Sequence, residues 1–227
     1  PFCRRFPPSR PEKPTAATHP TRHMFSTLAN KLSLLRIVLS PVFFLLIVAG
    51  GSLPRQISLA VFLLAAMTDW YDGVIARRSG TVTNFGKFLD PLADKFLTSA
   101  AFLAFAWLGY VPWWMVIIIV FRDIVITLLR SFAESRGEHI VTSKSAQWKT
   151  FIQMTVLYYL LLLIVGKDVG WVRALLGGVL PALLDPSLVY LLMLAVTLFT
   201  LVTGVQYVVE NRRFVSTLVL GRKEVTE

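Results

Sequence analysis

Asp69-Trp-Tyr-Asp-Gly-Val-Ile-Ala-Arg-Arg-Ser-Gly-Thr-Val-Thr-Asn-Phe-Gly-Lys-Phe-Leu-Asp-Pro-Leu-Ala-Asp94 is the stretch on which the reading of this chain turns. It places four carboxylates, Asp69, Asp72, Asp90 and Asp94, beside long apolar runs, where each needs a compensating partner or a function. At helical pitch 69, 72, 73 and 76 share one face, as do 86, 90 and 94. A turn over 78–85 is expected to fold the second helix back beside the first, so that the two faces can meet. Carboxylates gathered in a low dielectric repel strongly unless cations sit among them. An oxygen-only donor set of this kind suits two hard ions, Mg²⁺ or Mn²⁺, in a phosphoryl-transfer centre. Gly73, Ala76 and Gly86 leave the helix surfaces open to a bulky ligand, and Arg77 offers a fixed positive charge suited to a pyrophosphate. The competing structural reading pairs the aspartates with Arg77, Arg78, Lys87 and Lys95, but an ion-pair network does not require Gly and Ala at set offsets.

Outward from this stretch the chain is unusually apolar: 227 residues, 55% hydrophobic, with a mean hydropathy of +0.64. These values describe a polytopic membrane protein rather than a water-soluble domain. Apolar segments at 32–49, 57–77, 87–108, 112–133, 150–166 and 187–209 predict six transmembrane helices in an all-α fold. Helix breakers at Gly50-Gly51-Ser52-Leu53-Pro54 and Gly109-Tyr110-Val111-Pro112 predict short, antiparallel connections. The longer connection 167–186 reads as a re-entrant or interfacial segment.

The formal charge of +10 is better explained by basic residues flanking membrane helices than by nucleic-acid binding. With the N-terminus cytoplasmic, that side collects most of the Lys and Arg residues, and the other side holds only Arg55, Lys167 and Arg173. Both termini are therefore expected inside. A single cysteine, Cys3, and histidines without ligand spacing exclude internal disulfides and make zinc chemistry a poor expectation. Residues 1–23 read as a disordered basic, Pro-rich tail, with an Arg-containing targeting extension as the alternative. Residues 24–213 then form the six-helix catalytic domain, and 214–227 a cytoplasmic C-terminal tail. The chain has no internal repeat, which weighs against an inverted-repeat transporter.

Residues 69–94 spell D-x-x-D-G-x-x-A-R-x8-G-x3-D-x3-D, which resembles the signature of the CDP-alcohol phosphatidyltransferases at every fixed position. That resemblance implies the six-helix fold of the family, usually a homodimer, with a cytoplasm-facing cavity for a CDP-lipid and two divalent ions. It implies Asp69, Asp72 and Asp90 as metal ligands, with Asp94 beside them as ligand and general base. It also implies Gly73, Ala76, Arg77 and Gly86 in the CDP pocket.

The acceptor must be sought outside the signature. Asn30-Lys-Leu-Ser-Leu-Leu-Arg36 resembles the N-x-L-S/T-x-x-R opening of the bacterial phosphatidylglycerophosphate synthases, which would bring Asn30 and Ser33 to the nucleotide and Arg36 close by, with a helix N-cap and a snorkelling arginine as the alternative for these residues taken singly. Arg122 lies deep in an apolar run, where an arginine should face a water-filled cavity or an anion. The run Phe121–Gly137 and the following Thr142–Gln153 resemble the corresponding region of the same synthases. Arg122, Arg130, Lys144 and Lys149 are accordingly expected to bind the phosphate of glycerol 3-phosphate. For Arg122 an ion pair with Asp123 is the alternative, although neighbouring helix residues point apart.

Ala146-Gln147 departs from the Gly-Lys usual in the family, which removes a charge beside this pocket. The expected reaction joins CDP-diacylglycerol and glycerol 3-phosphate into phosphatidylglycerol phosphate and CMP at a bacterial inner membrane, with the site facing the cytoplasm. Inositol phosphate, serine, choline and phosphatidylglycerol are the rival acceptors, and a transporter or silent scaffold the rival classes. The last helix contributes little to this reading beyond hydropathy.

Overall fold

The computed structural model describes the backbone of residues 20–79, 84–135 and 144–212, and the side chains of 32–68, 91–133 and 147–212. Among the described residues there is no strand. Among the described residues six long helices carry the fold: α1 (Pro20–Val48), α2 (Ser52–Ser79), α3 (Asn84–Trp107), α4 (Trp113–Ser135), α5 (Lys144–Gly166) and α8 (Pro186–Glu210). Two short ones, α6 (Gly170–Leu176) and α7 (Leu180–Leu183), occupy the connection before the last long helix. The helices outrun the apolar segments at their polar ends. Thus α5 begins at Lys144 rather than near 150, and α2 continues through the Asp69–Arg77 motif to Ser79. A helix stays hydrogen-bonded after its side chains turn polar, whereas hydropathy registers only the apolar part. The turn expected over 78–85 lies mostly outside the described residues, α2 being described to Ser79 and α3 from Asn84.

Neighbouring helices close a ring. α1 lies against α2 and α3, α3 against α4, α4 against α8, α8 against α5, and α5 against α2. Phe43 of α1 meets Phe62 of α2 with ring centroids 5.2 Å apart, and Phe62 meets Tyr158 of α5 at 5.7 Å, so aromatic contacts cross two of these seams. The core of Phe102, Phe105, Met115, Ile119, Leu157, Leu160, Leu161 and Met193 is fully buried.

Positive φ at Gly50 (77°), Gly51 (86°) and Gly109 (79°) provides the two tight turns, α1 to α2 and α3 to α4, that a side chain would strain. The last helix starts on Asp185, whose carboxylate accepts from the backbone N–H of Ser187 (2.9 Å) and Leu188 (3.1 Å), with Pro186 in the first turn.

The two ends of the ring differ. At one end Arg55 pairs with Asp168, Ser52 Oγ donates to the Asp168 carbonyl (2.8 Å), and Lys167 reaches the Tyr110 hydroxyl. Arg55 and Lys167, two of the three basic residues assigned by sequence to the outer side, are thus partnered there. Toward the other end lie Asp94, Lys95, Arg122, Asp123, Lys149 and Gln153. Gln147–Gly166 and Leu180–Glu210 are long and apolar enough to cross a membrane, and Leu32–Val48 and Ser52–Thr68 are shorter apolar stretches. α4 carries Arg122 and Asp123 in mid-run, which lowers its hydropathy.

Large apolar side chains cover the outside of the bundle as well as its core, while a few charges are buried. Arg36, Asp123 and Lys149 are inside, while Leu34, Val38, Leu45, Ile117, Phe121, Leu198, Val202, Val205 and Val209 face outward.

Candidate active site

A cavity of about 590 Å³ opens between α3, α4, α5 and α8. Asp94 and Lys95 of α3 form one wall. Arg122, Thr127 and Arg130 of α4 form a second, with Gln147 and Thr150 of α5 and Tyr207 of α8 completing the lining. Arg122 and Arg130 are eight residues apart on α4, slightly more than two turns, so both present to the same side. Asp94 also borders a smaller cavity of about 90 Å³ shared with Arg36, Thr98 and Tyr158.

Asp123, which also borders the cavity beside Arg122, is the centre of a buried ionic cluster. Lys149 donates its ammonium to Asp123 Oδ1, Gln153 Nε2 donates to Oδ2 at 2.9 Å, and Arg122 Nη1 stands 3.4 Å from Oδ1. Lys95 Nζ lies 3.9 Å from both Asp123 Oδ2 and Asp94 Oδ2. Asp123 and Lys149 are only 3% and 2% exposed in their side chains. Charges so deeply placed are tolerated only when paired and hydrogen-bonded, and here they are. Among the described residues, Lys95, Arg122, Arg130 and Lys149 outnumber Asp94 and Asp123 by two, and the two arginines of the α4 wall suit an anionic group.

The residues expected from sequence are distributed as follows. Asp94, Arg122 and Arg130 share the large cavity. Lys149 does not line it, because its ammonium turns inward to Asp123. Ser33 is buried on α1 one turn before Arg36, whose Nε donates to the Ala65 carbonyl of α2 at 3.3 Å. Asp69, Asp72, Gly73, Ala76 and Arg77 fall on α2, Gly86 and Asp90 on α3, Asn30 on α1, and Lys144 at the start of α5. The side chains of these nine lie outside the described residues.

Among the described residues no group of three or more His, Cys, Asp or Glu side chains converges as a metal site. Of the four aspartates only Asp94 has a described side chain, and it faces the cavity. The donor set itself, two carboxylates one turn apart on each of two successive helices, is the chemistry a hard divalent cation requires.

Arg122 does contact Asp123, against the expectation that adjacent helix residues point apart. Its long side chain curls back so that the guanidinium, not the Cβ vector, makes the approach. Asp123's shorter contact is nevertheless Lys149, 26 residues away. Sequence reasoning did not single out Asp123, Gln153, Thr203, Gly204 or Tyr207 as site residues. For Asp123 the signal was present, since a carboxylate deep in an apolar run needs a cation, and Lys149 sits in the next charged segment. For the three on α8 no motif marked them.

A family model described as CDP-alcohol phosphatidyltransferase matches residues 26–183. A probable phosphatidylglycerophosphate synthase of Mycobacterium tuberculosis is 36% identical over 195 residues, 85% of each chain. A CDP-diacylglycerol–glycerol-3-phosphate 3-phosphatidyltransferase of Bacillus subtilis is 39% identical over 147 residues, 60% of this chain and 76% of that protein. The protein of that same name from Rickettsia typhi is 35% identical over 159 residues, 66% of this chain and 89% of its own.

Proposed function

From the premise that the chain belongs to the CDP-alcohol phosphatidyltransferase family, we propose that it transfers the phosphatidyl group of CDP-diacylglycerol to glycerol 3-phosphate, releasing CMP. The observation that carries this reading is the single cavity in which the Asp94 carboxylate faces Arg122 and Arg130. The names borne by the relatives from B. subtilis and R. typhi support the same acceptor.

In this reading Arg122 and Arg130 hold the acceptor phosphate by charge-assisted hydrogen bonds and so orient its free hydroxyl toward the α3 wall. Asp94 takes the hydroxyl proton as the oxygen attacks the phosphatidyl phosphorus in line and the bond to the CMP oxygen breaks. The protein supplies no covalent nucleophile. Asp69, Asp72 and Asp90, with Asp94, would hold two Mg²⁺ or Mn²⁺ ions. Bound there, such ions supply charge neutralisation on a pyrophosphate and a better leaving group. Gly73, Ala76, Arg77 and Gly86, with Asn30 and Ser33, would accommodate the cytidine nucleotide.

The six long helices are proposed to span the inner membrane of a bacterium, in a homodimer, with the cavity opening to the cytoplasm. The outward Leu, Val and Phe side chains and the inward charges support immersion in lipid. The scarcity of Lys and Arg in the loops near Arg55, Lys167 and Arg173 supports the orientation.

A CMP-release assay on protein reconstituted with CDP-diacylglycerol tests the acceptor. Glycerol 3-phosphate is expected to drive turnover, whereas inositol phosphate, serine, choline and phosphatidylglycerol are not. Release driven by one of those, and not by glycerol 3-phosphate, would overturn the assignment.

A further inference from the structure

The family match ends at residue 183, and α8 lies beyond it. Yet α8 forms the seat on which Arg122 rests. Thr203 Oγ1 donates to the Phe199 carbonyl at 2.9 Å, one turn back along its own helix. That bond occupies the hydroxyl proton and leaves oxygen lone pairs facing α4, where Arg122 Nη2 donates to them at 3.1 Å. Arg122 lies across the next residue, Gly204. A Cβ there would stand 3.2 Å from Arg122 Cγ and 3.3 Å from Nε, tighter than ordinary contact. Nε is buried against this surface with no hydrogen-bond partner among the described residues. One turn of helix beyond Thr203, Tyr207 lines the cavity itself. Arg122 is therefore clamped between Asp123 of its own helix and Thr203–Gly204 of α8.

We infer that Thr203 and Gly204 are positioning residues that set the pose of Arg122 for the acceptor phosphate, so that these two residues of α8 tune acceptor affinity without themselves touching the acceptor. This inference rests on the acceptor pocket proposed above. Physically, a guanidinium held in one pose loses less freedom on binding an anion than one that must first be ordered. The Thr203 hydroxyl supplies one fixed point and the missing Cβ of Gly204 supplies the room.

The test is steady-state kinetics on the full-length reconstituted protein, varying glycerol 3-phosphate and CDP-diacylglycerol separately. T203V keeps the shape of the side chain and removes the hydroxyl. It is expected to raise the acceptor KM about ten-fold, while the donor KM stays within about two-fold. T203S retains the hydroxyl and is expected to hold the acceptor KM near the wild-type value. G204A, which displaces Arg122 by a few tenths of an ångström, should raise the acceptor KM by about three-fold or more.

R122Q separates the inference from the reading beneath it. If R122Q raises the acceptor KM and neither T203V nor G204A does, the role of α8 is wrong and the pocket stands. If R122Q leaves the acceptor KM unchanged, the pocket itself is wrong and the inference falls with it. Equal changes in both KM values, accompanied by lower thermal stability and no rescue by T203S, would show a merely structural contact and also overturn it.

Discussion

Replacing Asp123 with Asn strikes the centre of the buried cluster, and its consequence can be worked from the geometry. The carboxylate accepts from Lys149 and Gln153 and faces Arg122 at 3.4 Å and Lys95 at 3.9 Å. Asn keeps the size but removes the charge, and it turns one acceptor oxygen into a donor amide aimed at other donors. Lys149, 2% exposed, is then a buried cation without its counter-ion. Breaking a buried pair in this way costs about 3–5 kcal/mol, well above the mutual attraction of an exposed pair. Removing both charges with D123N/K149M should recover most of the loss, because a methionine fills the space without demanding a partner. Unfolding of the purified protein in mixed micelles, followed by tryptophan fluorescence, reads both variants against wild type. A single variant within about 0.5 kcal/mol of wild type would rule out this dependence of Lys149 on the Asp123 charge. So would a double variant no more stable than the single.

Other perturbations probe separate parts of the molecule. Gln147→Lys places a cation on the cavity wall and should lower the acceptor KM several-fold, roughly 1 kcal/mol of added attraction, while making it more sensitive to salt in a KM titration against ionic strength. Arg130→Gln removes one of the two arginines of that wall and should raise the acceptor KM about ten-fold with the donor KM unchanged, read in the same assay. At the opposite end, Arg55→Gln breaks only the partly exposed pair with Asp168 and should change unfolding free energy by less than about 1 kcal/mol, with turnover intact. Chelation with EDTA should abolish CMP release, and added Mg²⁺ or Mn²⁺ should restore it; full activity under chelation would remove the ions from the proposal.

Much of the architecture was legible because hydropathy and helix breakers act locally. The six apolar segments each became a long helix, and Gly50, Gly51 and Gly109 make the turns their positions suggested. What was not legible depends on distances between segments. The Asp123–Lys149 pair joins α4 to α5 across 26 residues, and no spacing rule connects them. Lys149, which the sequence places among the expected phosphate ligands, directs its ammonium to Asp123 in the fold. The Thr203–Gly204 seat was invisible for a similar reason. In an apolar helix a threonine bonded back to its own turn looks structural, and only the approach of Arg122 gives it a second role. The 167–186 connection was read as re-entrant or interfacial. It contains two short helices, of which α6 buries no residue and α7 is held by Tyr159, whose hydroxyl donates to the Leu183 carbonyl at 2.7 Å.

In the proposed phosphatidyl transfer Asp94 takes the acceptor proton. Asp94→Asn is nearly isosteric and keeps an oxygen toward the cavity, so folding should be retained while proton acceptance is lost. Incubating the reconstituted variant with CDP-diacylglycerol and radiolabelled glycerol 3-phosphate, and extracting the lipid, measures this directly. Labelled phosphatidylglycerol phosphate is expected from wild type and at least about a hundred-fold less from the variant, at matched thermal stability. Label entering lipid at the wild-type rate in Asp94→Asn would contradict this role of Asp94.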